Sequence, residues 1–141
     1  MNQWMVRNYR RGFGPTGIVL LLTTIGRKSG LPRVTPLQYE EIDGVYYVGS
    51  ARGPNADWFR NLQANPQVKV EIKGRRFEGV AEAITDPVRI ADFFEMRLKR
   101  HPVMIGLLMH LEGLPLKCTR VDMEVFAASK ALAIILPAPS G

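Results

Sequence analysis

Between two apolar runs, residues 26–30 read Gly-Arg-Lys-Ser-Gly, and Arg33 follows after Leu31 and Pro32. A connection that only had to turn the chain would not need three cations and two glycines. Gly26 and Gly30 permit positive φ and a close backbone approach. Successive N–H groups in such a loop can form an anion-binding nest. Lys28 offers a point charge, Ser29 a hydroxyl, and Arg33 a planar fork that matches phosphate oxygens. The chemistry this suggests is recognition of a phosphate-like anion. The alternative is an exposed basic turn with no ligand. A second stretch, GSARGPNADWF at 49–59, adds Gly49, Ser50, Arg52 and Trp58 to the polar inventory. Trp58 reads first as a core anchor.

Other chemistries lack their residues. His101 and His110 are nine apart, with no Cys or carboxylate at ligand spacing, which does not suit a metal site. Cys118 has no histidine partner in the pattern, and no Gly-x-Ser-x-Gly elbow is present. In GRKSG the second glycine follows Lys-Ser instead of preceding it, so the loop is not a nucleoside-triphosphate P-loop. Basic residues interleaved with stacking aromatics are missing, which argues against nucleic acid.

Charge is distributed unevenly. The chain has 141 residues and a net charge of +6, and the whole excess falls in residues 1–80, around the GRKSG loop. This asymmetry suggests an anionic partner for that region. The length suits one domain, 1–141, with a single core. The longest apolar runs, such as IVLLL at 18–22, are far too short to span a bilayer. The N-terminal arginines have no apolar stretch behind them, unlike a secretory signal. A lone cysteine excludes an internal disulfide, so the expected compartment is the cytoplasm.

The elements that must position these residues follow from period and punctuation. Residues 2–10 suit a short helix. Residues 17–24 suit a buried strand, 34–41 a second strand with Pro36 at an edge or bulge, and 45–51 a third after the Asp43-Gly44 turn. A short helix starts at Asn55 or Ala56 and stops at Asn65-Pro66. Strands follow at 67–72 and 75–85, separated by Lys73-Gly74. Asp86 caps a helix with Pro87 at its first position, and His101-Pro102 breaks it before a second apolar helix through MIGLLMHL. Thr119 and Asp122 form a capping-box pattern for a helix over 120–130. ALAIIL at 131–136 closes the chain as a strand. Tight turns between neighbouring strands predict antiparallel pairing, hence an α+β fold with a small antiparallel barrel as its core.

The segments TTIGRKSGLPRVTPL and WFRNLQANPQVKV together resemble the deazaflavin (coenzyme F420)-dependent nitroreductase/quinone reductase family. The resemblance covers residues 17–85 well and the rest loosely. It implies a split β-barrel, related to flavin mononucleotide (FMN)-binding barrels, that holds a deazaflavin bearing a phosphodiester and a polyglutamate tail. It implies that Arg27, Lys28, Ser29 and Arg33 hold the phosphate and tail. Thr35, Pro36 and Leu37 would lie along the ring system, with Gly49, Ser50 and Ala51 approaching from another strand. Asn55, Ala56, Trp58, Phe59 and Asn61 would close the groove, and Ser50 would donate a hydrogen bond to the substrate.

The implied activity is hydride transfer from reduced F420 to an apolar unsaturated, quinone-like or nitro substrate. The coenzyme carries that chemistry while the protein orients it. Departures from the family pattern bear on the substrate: Gln38 stands where a tyrosine is common, no tyrosine follows Tyr47, and the segment from Arg52 to Trp58 is short. The Met- and Leu-rich region 101–118 suits either an apolar substrate wall or plain helix packing. Two rivals stand beside this reading, an FMN-dependent split-barrel oxidoreductase and a non-catalytic cofactor- or lipid-binding module. A homodimer and peripheral membrane association are the partner arrangements left open.

Overall fold

The computed structural model describes residues 19–50 and 52–139; the helix expected over 2–10 lies outside them, as does Ala51. Seven strands alternate with four α-helices among the described residues. They are β1 (Val19–Ile25), β2 (Pro32–Gln38), β3 (Glu40–Ile42), β4 (Val45–Ser50), α1 (Asp57–Ala64), β5 (Gln67–Ile72), β6 (Arg75–Ile84), α2 (Pro87–Arg100), α3 (Pro102–Leu111), α4 (Arg120–Ala127) and β7 (Ala131–Pro137). A single 3-10 turn, Gly53–Asn55, leads into α1.

The strands form one antiparallel sheet in the order β2-β1-β5-β6-β7-β4-β3. β2 therefore begins one end of the sheet and β3 finishes the other, yet only Tyr39 separates them in sequence. A one-residue link between opposite edges forces the sheet to curl on itself. β2 and β4 consequently come into contact without sharing a ladder. The single strand expected over 34–41 is thus two strands, bent at Tyr39 where the chain crosses from edge to edge. The Tyr39, Tyr46 and Phe77 rings fill this region, with centroids 5.8 and 5.2 Å apart along the row.

Both hairpin turns read from sequence are present. Asp43 and Gly44 have φ of 51° and 80°, and Lys73 and Gly74 have 51° and 79°. Two successive residues at positive φ give the turn whose twist matches paired strands. Pro36 sits on the edge strand β2, opposite Leu21 of β1, where its missing N–H costs no ladder bond toward a further strand.

Two cores lie on the two faces of the sheet. Inside the curl, Leu20, Leu22, Val48, Val70 and Ile135 meet Trp58, Phe59 and Leu62 of α1. Outside it, Ile84 and Leu132 meet Ile90 and Phe93 of α2, Ile105 and Met109 of α3, and Met123 of α4. β7 supplies both, its residues alternating between the cores, which explains its unbroken apolar sequence. Burial of each large apolar side chain contributes roughly 1.5–3 kcal/mol.

The helix limits have local causes. Asp86 accepts a bond from Val88 N at 3.0 Å and Pro87 opens α2. Thr119 and Asp122 bond each other's backbone N–H at 2.9 and 3.2 Å in a reciprocal box. α4 ends at Ala127, three residues before the expected limit. His101 leaves helical geometry, with φ of −136°, and Pro102 starts α3.

Candidate active site

The β1–β2 hairpin is closed by two backbone bonds. Gly26 N donates to Leu31 O at 2.8 Å, and Gly30 N donates to Gly26 O at 2.8 Å. Gly30 has φ of 71°, a conformation that favours glycine. A Cβ on Gly26 would lie 2.6 Å from Ser29 Oγ, so the turn is tight as well as left-handed. Ser29 Oγ accepts a bond from Leu31 N at 3.2 Å, leaving its own proton free to donate. Lys28, Ser29 and Arg33 are all exposed.

Arg27 behaves differently from its neighbours. Its side chain turns onto α1, where Nη1 lies 2.9 Å from Asn61 Oδ1 and Nη2 lies 3.2 Å from Asp57 Oδ1. Its backbone N also donates to Asn61 Oδ1, at 3.2 Å. Asn61 Nδ2 donates to Thr24 Oγ1 at 3.3 Å, and Asn61 and Thr24 are both buried. The two stretches singled out in the sequence, GRKSG and the segment ending DWFRN, are joined through these side chains. Asp57 neutralises Arg27, whereas neither Lys28 nor Arg33 has an ion-pair partner among the described residues. The hairpin therefore presents two cations without an ion-pair partner among the described residues.

The register orders the rest of β2. Arg33 lies opposite Thr24, Thr35 opposite Leu22, and Leu37 opposite Leu20, so these three share the face that looks into the curl. Leu37 packs against the inner core. Pro36 lies on the other face with Val34. From the far edge of the sheet, Ser50 is 3% exposed and its hydroxyl donates to Gly53 O at 2.8 Å. Gly49 faces the helices instead, where an added Cβ would lie 3.3 Å from Phe93 Cε2.

Asn55 is exposed and accepts a bond from Arg60 Nη2 at 3.0 Å. Ala56, Trp58 and Phe59 are buried in the inner core, so they act on any groove through the placement of α1. Arg27, Lys28, Ser29, Arg33 and Asn61 are brought together at one end of the curl; Gly49 is not part of that group.

A second polar cluster escaped the sequence reading. Glu40 is 6% exposed, and its carboxylate meets Arg97 Nε at 3.2 Å, Arg100 Nη1 at 3.1 Å and His101 Nε2 at 3.0 Å. With Gln38, Tyr39, Glu41 and Met104 these residues line a cavity of about 350 Å³. The usable signal was the 97/100/101 spacing at a helix end, which places all three donors on one side.

A third network ties helices together. Arg120 of α4 meets Asp92 and Glu95 of α2 at 2.7 Å each, and Glu124 at 3.3 Å. Hydrogen bonds from Arg120 and then Lys99 hold the Glu95 carboxyl below its usual range.

A curled antiparallel half-barrel with helices on its outer face, and a glycine-framed cationic hairpin at one end, defines a split-barrel protein. The chain belongs to the F420H(2)-dependent quinone reductase family, whose sequence model matches residues 3–103. An F420H(2)-dependent quinone reductase of Mycobacterium tuberculosis is 34% identical over 68 residues, which is 46% of this chain and 46% of that protein. The chain thus spans about half the length of the curated relatives it matches.

Among solved structures, an F420-H2 dependent reductase, FDR-A, superposes with a TM-score of 0.56 at 19% identity, covering 86% of this chain and 96% of that one. HutZ, a heme storage protein of Vibrio cholerae, gives 0.57 at 18% identity, covering 98% and 91%. At these identities the likeness is one of fold. No described helix is long and apolar enough to cross a membrane.

Proposed function

We propose that the chain binds coenzyme F420 and acts as an F420H2-dependent reductase on an apolar, quinone-like, nitro or otherwise unsaturated acceptor. The observation that carries this reading is that the family match takes in both the cationic hairpin and α1, the two segments that Arg27 and Asn61 join. The donor set fits an anionic, phosphodiester-bearing coenzyme. Lys28 and Arg33 are exposed cations with no ion-pair partner among the described residues, and the Ser29 hydroxyl still has a proton to donate.

In this reading Lys28, Ser29 and Arg33 hold the phosphodiester and the acidic tail. Thr35, Pro36 and Leu37 support the ring system along the edge strand, and Asn55 borders it from the segment leading to α1, with Ala56 acting through the placement of that helix. The bound deazaflavin supplies a hydride when reduced. The chain supplies orientation and a dry wall, since Leu37 packs on the inner core. Ser50 serves as a substrate donor only by releasing its bond to Gly53 O; otherwise it shapes the turn that carries Gly53.

The test is a fluorescence titration of the purified protein with F420, with FMN run in parallel. Saturable micromolar or tighter deazaflavin binding is expected. Tighter binding of FMN would transfer the reading to a flavin enzyme, and binding of neither would leave the loop a basic turn. Reduction of a quinone by bound F420H2, followed by deazaflavin absorbance, then separates an enzyme from a carrier.

A further inference from the structure

We infer that Arg27 is a positioning residue for the anion-binding loop, held in that role by the buried amide of Asn61, and is not itself a ligand to the anion. The inference rests on the F420-binding reading for its ligand, but the geometry behind it is internal to the chain. Both terminal nitrogens of the Arg27 fork are engaged on α1. Nη1 points at Asn61 Oδ1, with Asp57 O at 3.5 Å, and Nη2 points at the Asp57 carboxylate. Its charge is matched by Asp57, and its side chain is only 23% exposed.

Asn61 is constrained more tightly still. Its Oδ1 accepts from both the backbone and the side chain of Arg27, and its Nδ2 faces Thr24 Oγ1. Reversing the amide would set N–H groups against two donors, so the contacts fix its orientation. Thr24 is the penultimate residue of β1 and lies opposite Arg33. One buried side chain on α1 thus grips the last turn of β1, the first cation of the loop, and the rung that carries the second strand's cation. The loop backbone from Gly26 to Leu31 is held from α1, 34 residues away in sequence, while Lys28 and Arg33 are left to meet a ligand.

This division of labour separates two outcomes. A direct ligand cation adds to the salt dependence of binding, and that dependence falls when the cation is lost. A latch needs the fork, so lysine fails. Its loss also repeats the effect of losing Asn61, an uncharged and buried residue, because both remove one interaction.

The experiment measures F420 dissociation constants at two salt concentrations for the wild type, Arg27→Lys, Arg27→Ala, Asn61→Ala and the Arg27→Ala/Asn61→Ala double variant. Hydrogen exchange of the 26–31 amides is followed in each. The expected result is that Arg27→Lys and Asn61→Ala each weaken binding about tenfold with unchanged salt dependence. The double variant is no weaker than either alanine variant, and the loop amides exchange faster in all of them. Retained affinity in Arg27→Lys, or a reduced salt dependence in Arg27→Ala, would overturn the inference. Should Asn61→Ala not fold, the two Arg27 variants decide alone. Should the wild type bind no F420, the functional reading falls, and the latch is judged by loop exchange: unchanged exchange in Arg27→Lys and Arg27→Ala sinks it.

Discussion

Glu40 Oε1 lies 3.2 Å from Arg97 Nε across the corner where the sheet reverses its edge. Arg100 and His101 approach the same carboxylate, so a strand residue next to Tyr39 is tied to the end of α2 and the start of α3. Removing Glu40 takes the carboxylate from the nearly buried Arg97, while Arg100 and His101 keep access to solvent. Glu40→Ala is therefore expected to cost roughly 1–3 kcal/mol of unfolding free energy, read as a lower urea midpoint. A loss under about 1 kcal/mol, the range of exposed pairs, would mean that solvent already screens this cluster.

Gly53 and Gly74 make a controlled comparison. Both have positive φ, 66° and 79°. A Cβ on Gly53 would lie 2.2 Å from Ser129 O, whereas one on Gly74 meets nothing within 4 Å. Gly74→Ala should lose only the left-handed backbone cost, about 1–2 kcal/mol. Gly53→Ala should lose considerably more, because the loop before β7 must also move. Thermal melts of both variants check the ordering; equal losses would remove the contact as the cause.

Lys28→Ala combined with Arg33→Ala should weaken F420 binding by well over tenfold and leave the melting temperature nearly unchanged. Both side chains are exposed without ion pairs among the described residues, and each charge-assisted contact is worth about 1.5–3 kcal/mol. Unchanged affinity would place the anion site elsewhere.

Acid should loosen the α2–α4 interface. The Glu95 carboxyl is held low, first by Arg120 and then by Lys99. A carboxyl with a folded-state value below its unfolded one adds stability that is present above the usual glutamate range, about 4.3. That stability is lost as pH falls through the depressed folded value. Melting temperature should therefore fall on acidification below that range. Arg120→Ala should melt lower at neutral pH and show a shallower acid slope; an identical slope would assign the acid sensitivity to other carboxyls.

Much of this fold was legible because its signals are local. Asp43-Gly44, Lys73-Gly74, the Asp86 cap and the Thr119/Asp122 box each work within four residues, and all are observed. The break at Tyr39 was not legible, because Gln38, Tyr39 and Glu40 continue a strand-like pattern; closure of the sheet bends them. Lys28, Ser29 and Arg33 carry a phosphate-donor pattern in the sequence, and all three side chains are exposed. Arg27 reads from sequence as their equal because its partners, Asp57 and Asn61, lie 30 and 34 residues away. Glu40 was passed over for the same reason, its partners lying on helices that only the folded chain brings to the sheet corner.

The Tyr39 joint also sets where the barrel can breathe. Gln38 and Glu40 are two residues apart, so the covalent chain limits their separation to about 7 Å. At that end the opposed edges are stapled and cannot part without local unfolding. At the other end, where Arg33 and the β1–β2 turn lie, no peptide link joins β2 to β4 and no ladder hydrogen bonds do either. Thermal opening of the seam is accordingly expected to be one-sided, like a clothes-peg sprung at Tyr39, with its jaws at the cationic hairpin and its grip governed by how firmly α1 holds the turn.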